Sequence, residues 1–242
     1  MQTLKILTLT LLLLPVLSAE PALAHASLDE LIEYTTGLLS GKPENPGTLL
    51  DRARLQLKQG NNALALSDIE AAERSSDAVD VAYVRGLYFL AEKQQQQAIV
   101  AFGKYLSRYP GYTPAILNRA KSYASLGKIE LSIRDYQYLL SVSKVHSPDY
   151  YLELAQLEST LEPCGIYMAL KSLDRGMENL GLLVSLQAAA IEFELERKAY
   201  RMALARHETL RPWLGNTDRW KLREKTLLKR SSLVADPPDE KD

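Results

Sequence analysis

Ser141 and Lys144 stand three residues apart in "SVSK". This is the S-x-x-K spacing in which a lysine amine activates a serine hydroxyl for attack on an acyl group. On a helix the spacing would bring both side chains to one face. In an exported protein such a pair would suit a cell-wall hydrolase. The companion tripeptides S-D-N and K-T-G are absent, and the pair falls where a helix is expected to end. Other candidates are weaker. His25, His146 and His207 lie far apart with no metal-ligand spacing, and His207 beside Glu208 has no H-E-x-x-H around it. Cys164 is the sole cysteine, so it cannot form an internal disulfide. No histidine lies near it in sequence to activate it, and burial is its expected state, since free cysteine is among the most buried residue types. There is no G-x-S-x-G and no glycine-rich phosphate loop. The residue types and spacings therefore predict a non-enzyme, with no catalytic residues, no metal site and no cofactor.

The chain has 242 residues, 46% apolar and 24% charged, with a net charge of −1. That composition is ordinary for a globular protein with a sizeable core. No basic excess marks it as a nucleic-acid binder. The first residues, "MQTLKILTLTLLLLPVLSAEPALAHA", carry Lys5, an apolar run from Ile6 to Leu17, and small-residue cleavage sites ending at Ala19 and Ala24. This pattern predicts a secretory signal peptide over residues 1–24, cut after Ala24, and a periplasmic or secreted mature protein. Pro15 and the shortness of the run argue against a spanning helix, which needs about 20 apolar residues. No cysteine follows the run, which argues against a lipid anchor. Cleavage would remove Lys5 and Glu20 together and leave the net charge at −1.

Leu, Ala, Glu, Lys and Gln dominate over β-branched residues, which favours helix. A small residue recurs inside predicted helices at Ala53, Gly86, Ala120, Ala155 and Ala189, in steps of 33, 34, 35 and 34. A second small residue follows each, at Ala65, Ala98, Ser132, Ala169 and Ala203. Four residues later come Ile69, Phe102, Tyr136, Leu173 and His207. The pattern predicts pairs of helices that approach closely at the small residues, with the bulky one filling the groove to the next pair. Gly60 and Gly127 fall where the intervening turns must lie, and glycine tolerates the positive φ of a helix exit. Thr113-Pro114 and Ser147-Pro148 predict helix starts with a capping hydroxyl, and Ser27-x-x-Glu30 reads as a capping box. Pro110 closes a helix.

Over residues 79–144, Gly86, Phe89, Ala98, Phe102 and Pro110, then Ala120, Tyr123, Gly127, Ser132 and Tyr136, fit the motif of the tetratricopeptide repeat (TPR). The chain resembles that family, most clearly over this stretch. Residues 46–78 carry Gln56 where an aromatic is expected. Residues 148–214 have two extra residues between helices and the unusual turn "EPCG" at 162–165. The resemblance implies an all-α fold, a TPR-like helical solenoid of about five helix-turn-helix pairs with capping helices at both ends. The expected organisation is a signal peptide (1–24), an N-terminal capping helix and loop (25–45), a repeat array (46–214), a C-terminal capping helix (215–232) and a disordered tail (233–242). In the terminal cap, Trp220, Leu227 and Leu228 are expected to cover the last pair, with the charges outside. That leaves little for the membrane-surface reading suggested by its basic run, which Asp218 and Glu224 dilute.

TPR proteins commonly hold peptides or extended chain termini in a concave groove lined by the first helix of each pair. The resemblance therefore implies a protein-binding adaptor or assembly factor of the cell envelope, with a protein or peptide ligand. Helical spacing from the small residues predicts a lining of Leu50 and Arg54 from the first pair, and Tyr83, Leu87 and Leu90 from the second. Leu117, Asn118 and Lys121 follow from the third, Gln156 from the fourth and Gln187 from the fifth. Some TPR domains grip a terminal carboxylate with clustered Lys, Asn and Arg. Here Leu50, Val84 and Pro114 occupy those places and only Asn118 matches in type, so no such clamp is predicted. Tyr105, Tyr109 and Tyr112 cluster around one turn and are expected to pack between repeats. Two alternatives stay open: a hydrolase using Ser141 and Lys144, and a self-assembling structural protein.

Overall fold

The computed structural model describes residues 26–75 and 78–232. Among them there are thirteen helices and no strand. The predicted signal peptide and the predicted tail at 233–242 lie outside the described residues. The chain forms two compact units that part after Ser75, so the repeat positions at 46–214 are distributed over both.

The first unit contains α1 (Leu28–Gly41), α2 (Pro46–Gln59) and α3 (Asn62–Ser75). The predicted capping box opens α1: the Ser27 hydroxyl accepts the Glu30 N–H at 3.2 Å, and the Glu30 carboxylate accepts the Ser27 N–H at 2.7 Å. Asn45 caps α2 by accepting the Thr48 N–H, with Pro46 at the first helical position. Gly60, at φ +84°, ends α2 in the left-handed conformation expected of it. Ala53 and Ala65 are fully buried, so α2 and α3 pack closely. Arg52 adds a bidentate bond to Asp68 at 2.8 and 2.7 Å. Helix α1 packs on α2 through Thr35 and Leu39.

The second unit holds four further pairs: α4 (Ala78–Ala91) with α5 (Gln95–Arg108), α6 (Thr113–Ser125) with α7 (Ile129–Val142), α8 (Pro148–Glu158) with α9 (Gly165–Leu180), and α10 (Val184–Glu196) with α11 (Tyr200–Thr209). A short α12 (Arg211–Leu214) and the terminal α13 (Asp218–Ser231) follow. Neighbouring pairs stack, α5 on α6, α7 on α8 and α9 on α10, as hairpins too small to bury both faces alone must do. The second small residues, Ala98, Ser132, Ala169 and Ala203, are all fully buried, and Phe102, Tyr136, Leu173 and His207 are buried behind them. Ser132 also fastens its pair by donating to the Ala120 carbonyl at 2.8 Å. The architecture is thus the all-α helix-turn-helix array expected.

Four local expectations change. The buried small residue of the fifth pair is Ala190, not Ala189, because the chain between α9 and α10 shifts the register by one. Thr113 is the first residue of α6 and gives no side-chain cap; the N-cap is Tyr112. Ser147 does cap α8, accepting the Asp149 N–H at 3.3 Å. Cys164 is exposed rather than buried, because it falls at the N-cap of α9, outside the packed faces of its pair. Leu228 is exposed, since α13 buries only the face carrying Trp220 and Leu227. Finally, glycine is not the only residue used in the turns. Lys93 and Lys198 take the left-handed conformation between α4 and α5 and between α10 and α11, at φ +57° and +62°.

Candidate partner-binding groove

The first helices of the second unit, α4, α6, α8 and α10, present one face that their own second helices leave uncovered. On that face Leu87, Leu90, Leu117 and Asn118 are half-buried, and Lys121 and Gln156 are exposed. Lys121 of α6 reaches Glu153 of α8 at 3.1 Å, and Glu153 also accepts the buried Tyr136 hydroxyl. Burial, then the bond to Glu153, pushes the Tyr136 phenol above its ordinary range, so Tyr136 stays protonated and donating. The Lys121–Glu153 pair is itself half-exposed and adds little stability. With Asn118 and Gln156 it forms the polar part of a face otherwise lined by leucines.

Three of the expected lining residues are withdrawn from the surface. Leu50, in the first unit, is buried in its hairpin, and Arg54 beside it pairs with Asp51 at 2.6 Å. Tyr83 is 9% exposed. It lies in an aromatic cluster with Tyr112 edge-on at 5.0 Å, Tyr105 at 5.5 Å and Phe102 at 5.9 Å. Tyr109 joins through Tyr105 at 4.8 Å and donates to Asp80 at 2.7 Å, so these tyrosines pack between pairs as expected. Gln187 is 3% exposed, and its amide donates to the Arg206 carbonyl and the Thr209 hydroxyl.

The Ser141 hydroxyl donates to the Tyr138 carbonyl at 2.7 Å, and no hydrogen bond joins it to Lys144. No group of three or more His, Cys, Asp or Glu among the described residues could hold a metal ion. No described helix is long and apolar enough to cross a membrane.

Several polar anchors lie outside the pattern of small and bulky residues. Arg119 grips Asp135 with two bonds of 2.7 Å, repeating the Arg52–Asp68 pair at the same separation of 16 residues. That recurrence was the available signal. The hydrogen bonds to Asp135, more than its charge, raise the Arg119 guanidinium above its usual value. In the last pair Arg206 occupies the aspartate's place and binds Asp174 of α9 and Glu194 of α10. Glu158 is 2% exposed and faces Gln137 at 3.4 Å; burial pushes its carboxyl up. His207 stacks on Trp220 with centroids 4.6 Å apart, and its Nε2 lies 3.2 Å from the Trp220 carbonyl. Burial is also what lowers its pKa.

No protein-family model matches the chain, and no curated protein matches it by sequence. Solved structures do match. PilW, described as a widely conserved type IV pilus biogenesis factor, aligns over 83% of this chain and 90% of its own, at 16% identity and a TM-score of 0.62. Pseudomonas aeruginosa pilF aligns over 82% and 97%, at 14% identity and a TM-score of 0.57. A thermophilic TPR protein of Thermus thermophilus aligns over 72% and 93%, at 20% identity and a TM-score of 0.53. At these identities the likeness is one of fold. The fold is that of the TPR proteins, a helical solenoid of paired helices.

Proposed function

We propose that this protein is a non-catalytic adaptor or assembly factor of the cell envelope, which holds a peptide or protein partner along the first-helix face of α4, α6 and α8. The observation that carries the reading is the open apolar strip of Leu87, Leu90 and Leu117, interrupted by Lys121 and Gln156. Buried apolar surface supplies affinity for an extended chain, and the polar residues set its register. The likeness in fold to a pilus biogenesis factor supports an assembly role. The signal-peptide pattern at the N-terminus supports export.

The test places a photo-crosslinking residue at Gln156, and a control at Glu130 on α7, in the native host. A discrete adduct at Gln156, absent at Glu130 and lost with Leu87→Glu, is the expected result. Equal adducts at both positions, or none at Gln156, would refute the groove. Cell fractionation with N-terminal sequencing tests export: the mature chain should begin at His25. Labelling of Ser141 by a β-lactam probe would restore the hydrolase alternative.

A further inference from the structure

Helix α13 packs on α11 through Trp220 and Leu227, both buried, and turns its opposite side to solvent. It carries six basic residues, Arg219, Lys221, Arg223, Lys225, Lys229 and Arg230, against two acids, Asp218 and Glu224. Its net charge is therefore +4 in a chain of net −1, so the remainder carries −5. Arg223 is half-buried and held by Glu192 of α10 at 2.6 Å; the other five cations are exposed. Glu224 is turned aside to bind Arg211 of α12. Lys221, Lys225 and Lys229 stand at i, i+4 and i+8, a single row along the helix. None has an ionic partner among the described residues. Like charges at this spacing repel and weaken a helix, so an anionic neighbour would relieve the row. Two leucines flank it. Leu222 lies three residues before Lys225, and Leu228 three after it, so all five side chains share one face. Leu222 is 68% exposed and Leu228 51% exposed. Asp218, in the first turn, is the acid left on that face.

We propose that this face of α13 docks on an anionic bilayer surface, with the lysine row at the lipid phosphates and Leu222 and Leu228 at the boundary between headgroups and acyl chains. A helix lying in that boundary needs basic residues for the phosphates and apolar ones for the chains, and this face interleaves the two. Its basic content falls in the range of about four to eight that marks helices binding anionic lipid. The lysine stems can lie along the apolar layer while their ammonium groups stay in water. The helix is already folded by its packing on α11, so docking orders no new backbone. The sequence leaves little room for this reading, because two acids dilute the basic run and Leu228 is assigned to the cap. In the structure Glu224 is spent on Arg211, and Leu228 stays outside the cap. A nucleic acid would use the same lysines but gain nothing from the leucines, and the one aromatic of α13, Trp220, is buried and offers no ring for bases to stack on. The inference goes beyond the adaptor reading and does not depend on it, since it uses none of α4, α6 and α8.

The test is co-sedimentation with vesicles, using the mature chain from His25 so that the apolar N-terminal run contributes nothing. The probe is vesicles of phosphatidylcholine and phosphatidylglycerol in equal parts, and the control is phosphatidylcholine alone. Binding to the first and not the second is expected, and it should fall by about tenfold or more at about 0.5 M salt as the charges are screened. Lys221→Gln, Lys225→Gln and Lys229→Gln together should weaken it by about a hundredfold, about fivefold for each charge. The same change at Lys104, Lys144 and Lys171, exposed lysines elsewhere in the second unit, alters the net charge equally and should leave binding unchanged. Leu222→Ser with Leu228→Ser should weaken it by about tenfold. All these side chains are exposed, so no variant should melt below the wild type. Four results would overturn the proposal: no binding to the anionic vesicles, equal loss from either set of lysines, no loss from the leucine changes, or binding to polyglutamate or single-stranded DNA as tight as to the vesicles. The last would assign the face to an acidic protein or a nucleic acid instead.

Discussion

Gly86 and Gly103 lie on α4 and α5 of one hairpin, and alanine should act on them in opposite directions. A Cβ at Gly86 would stand 2.5, 2.7 and 2.9 Å from Cε1, Cδ1 and Cζ of Phe102. Carbon atoms in contact sit about 3.5–4.0 Å apart, so the ring would have to retreat by about 1 Å. Phe102 is fully buried against Tyr83 and has nowhere to go. Overpacking of this kind costs about 1–3 kcal/mol, against a gain of about 1 kcal/mol from better helix propensity. Gly86→Ala should therefore destabilise by about 1 kcal/mol or somewhat more. At Gly103 the nearest atom is Arg119 Nη1 at 3.9 Å, an ordinary contact. Gly103→Ala should stabilise by about 0.5–1 kcal/mol. Urea unfolding of the two variants decides the matter, with melting temperatures moving by about 2–4 °C per kcal/mol in a protein of this size. Stabilisation by Gly86→Ala would refute the close approach of α4 to α5. In a Phe102→Leu background, Gly86→Ala should cost nothing further; if the cost persisted, the clash would not be with this ring.

Asp135→Ala leaves the largely buried Arg119 without its partner and should cost about 2–3 kcal/mol in denaturant unfolding, while Arg119→Met with Asp135→Leu should return most of it. Lys93→Gly and Lys198→Gly relieve left-handed backbone at side-chain-bearing residues, and each should raise stability by about 0.5–1 kcal/mol in thermal melts. Glu158 binds its proton more tightly folded than unfolded, so its contribution to stability falls as pH rises from the ordinary glutamate value of about 4.3 through the raised one. Glu158→Gln should accordingly raise the melting temperature at neutral pH, and the gain should vanish in melts run below about pH 4.

The repeat was legible because its signal is steric and local. A small residue facing a small residue across a hairpin recurs at nearly constant spacing, and every second-helix marker is fully buried. The register differs only at Ala189: Gly181 ends α9 at φ +82°, but the two residues after it do not fix the phase of α10. Burial preference describes residue types, whereas position in the "EPCG" turn sets the exposure of Cys164. The lining was harder still. Spacing places Tyr83 and Gln187 on the partner-facing side of their helices, but whether that side is open depends on neighbours distant in sequence. Tyr112 covers the first, and Arg206 and Thr209 bind the second. Such closures are properties of stacking and leave no periodic trace.

That dependence explains why the last pair departs from those before it. The residue just after the small marker is half-buried Leu87 in α4, exposed Lys121 in α6 and exposed Gln156 in α8. In α10 the same position is Ile191, 1% exposed, packed with Leu210 and Leu227. Helix α13 stands where the first helix of another repeat would stack, and it turns an open position into core. The conversion is incomplete. Leu227 seals the C-terminal half of the contact, whereas around Trp220 a cavity opens between α10 and α13.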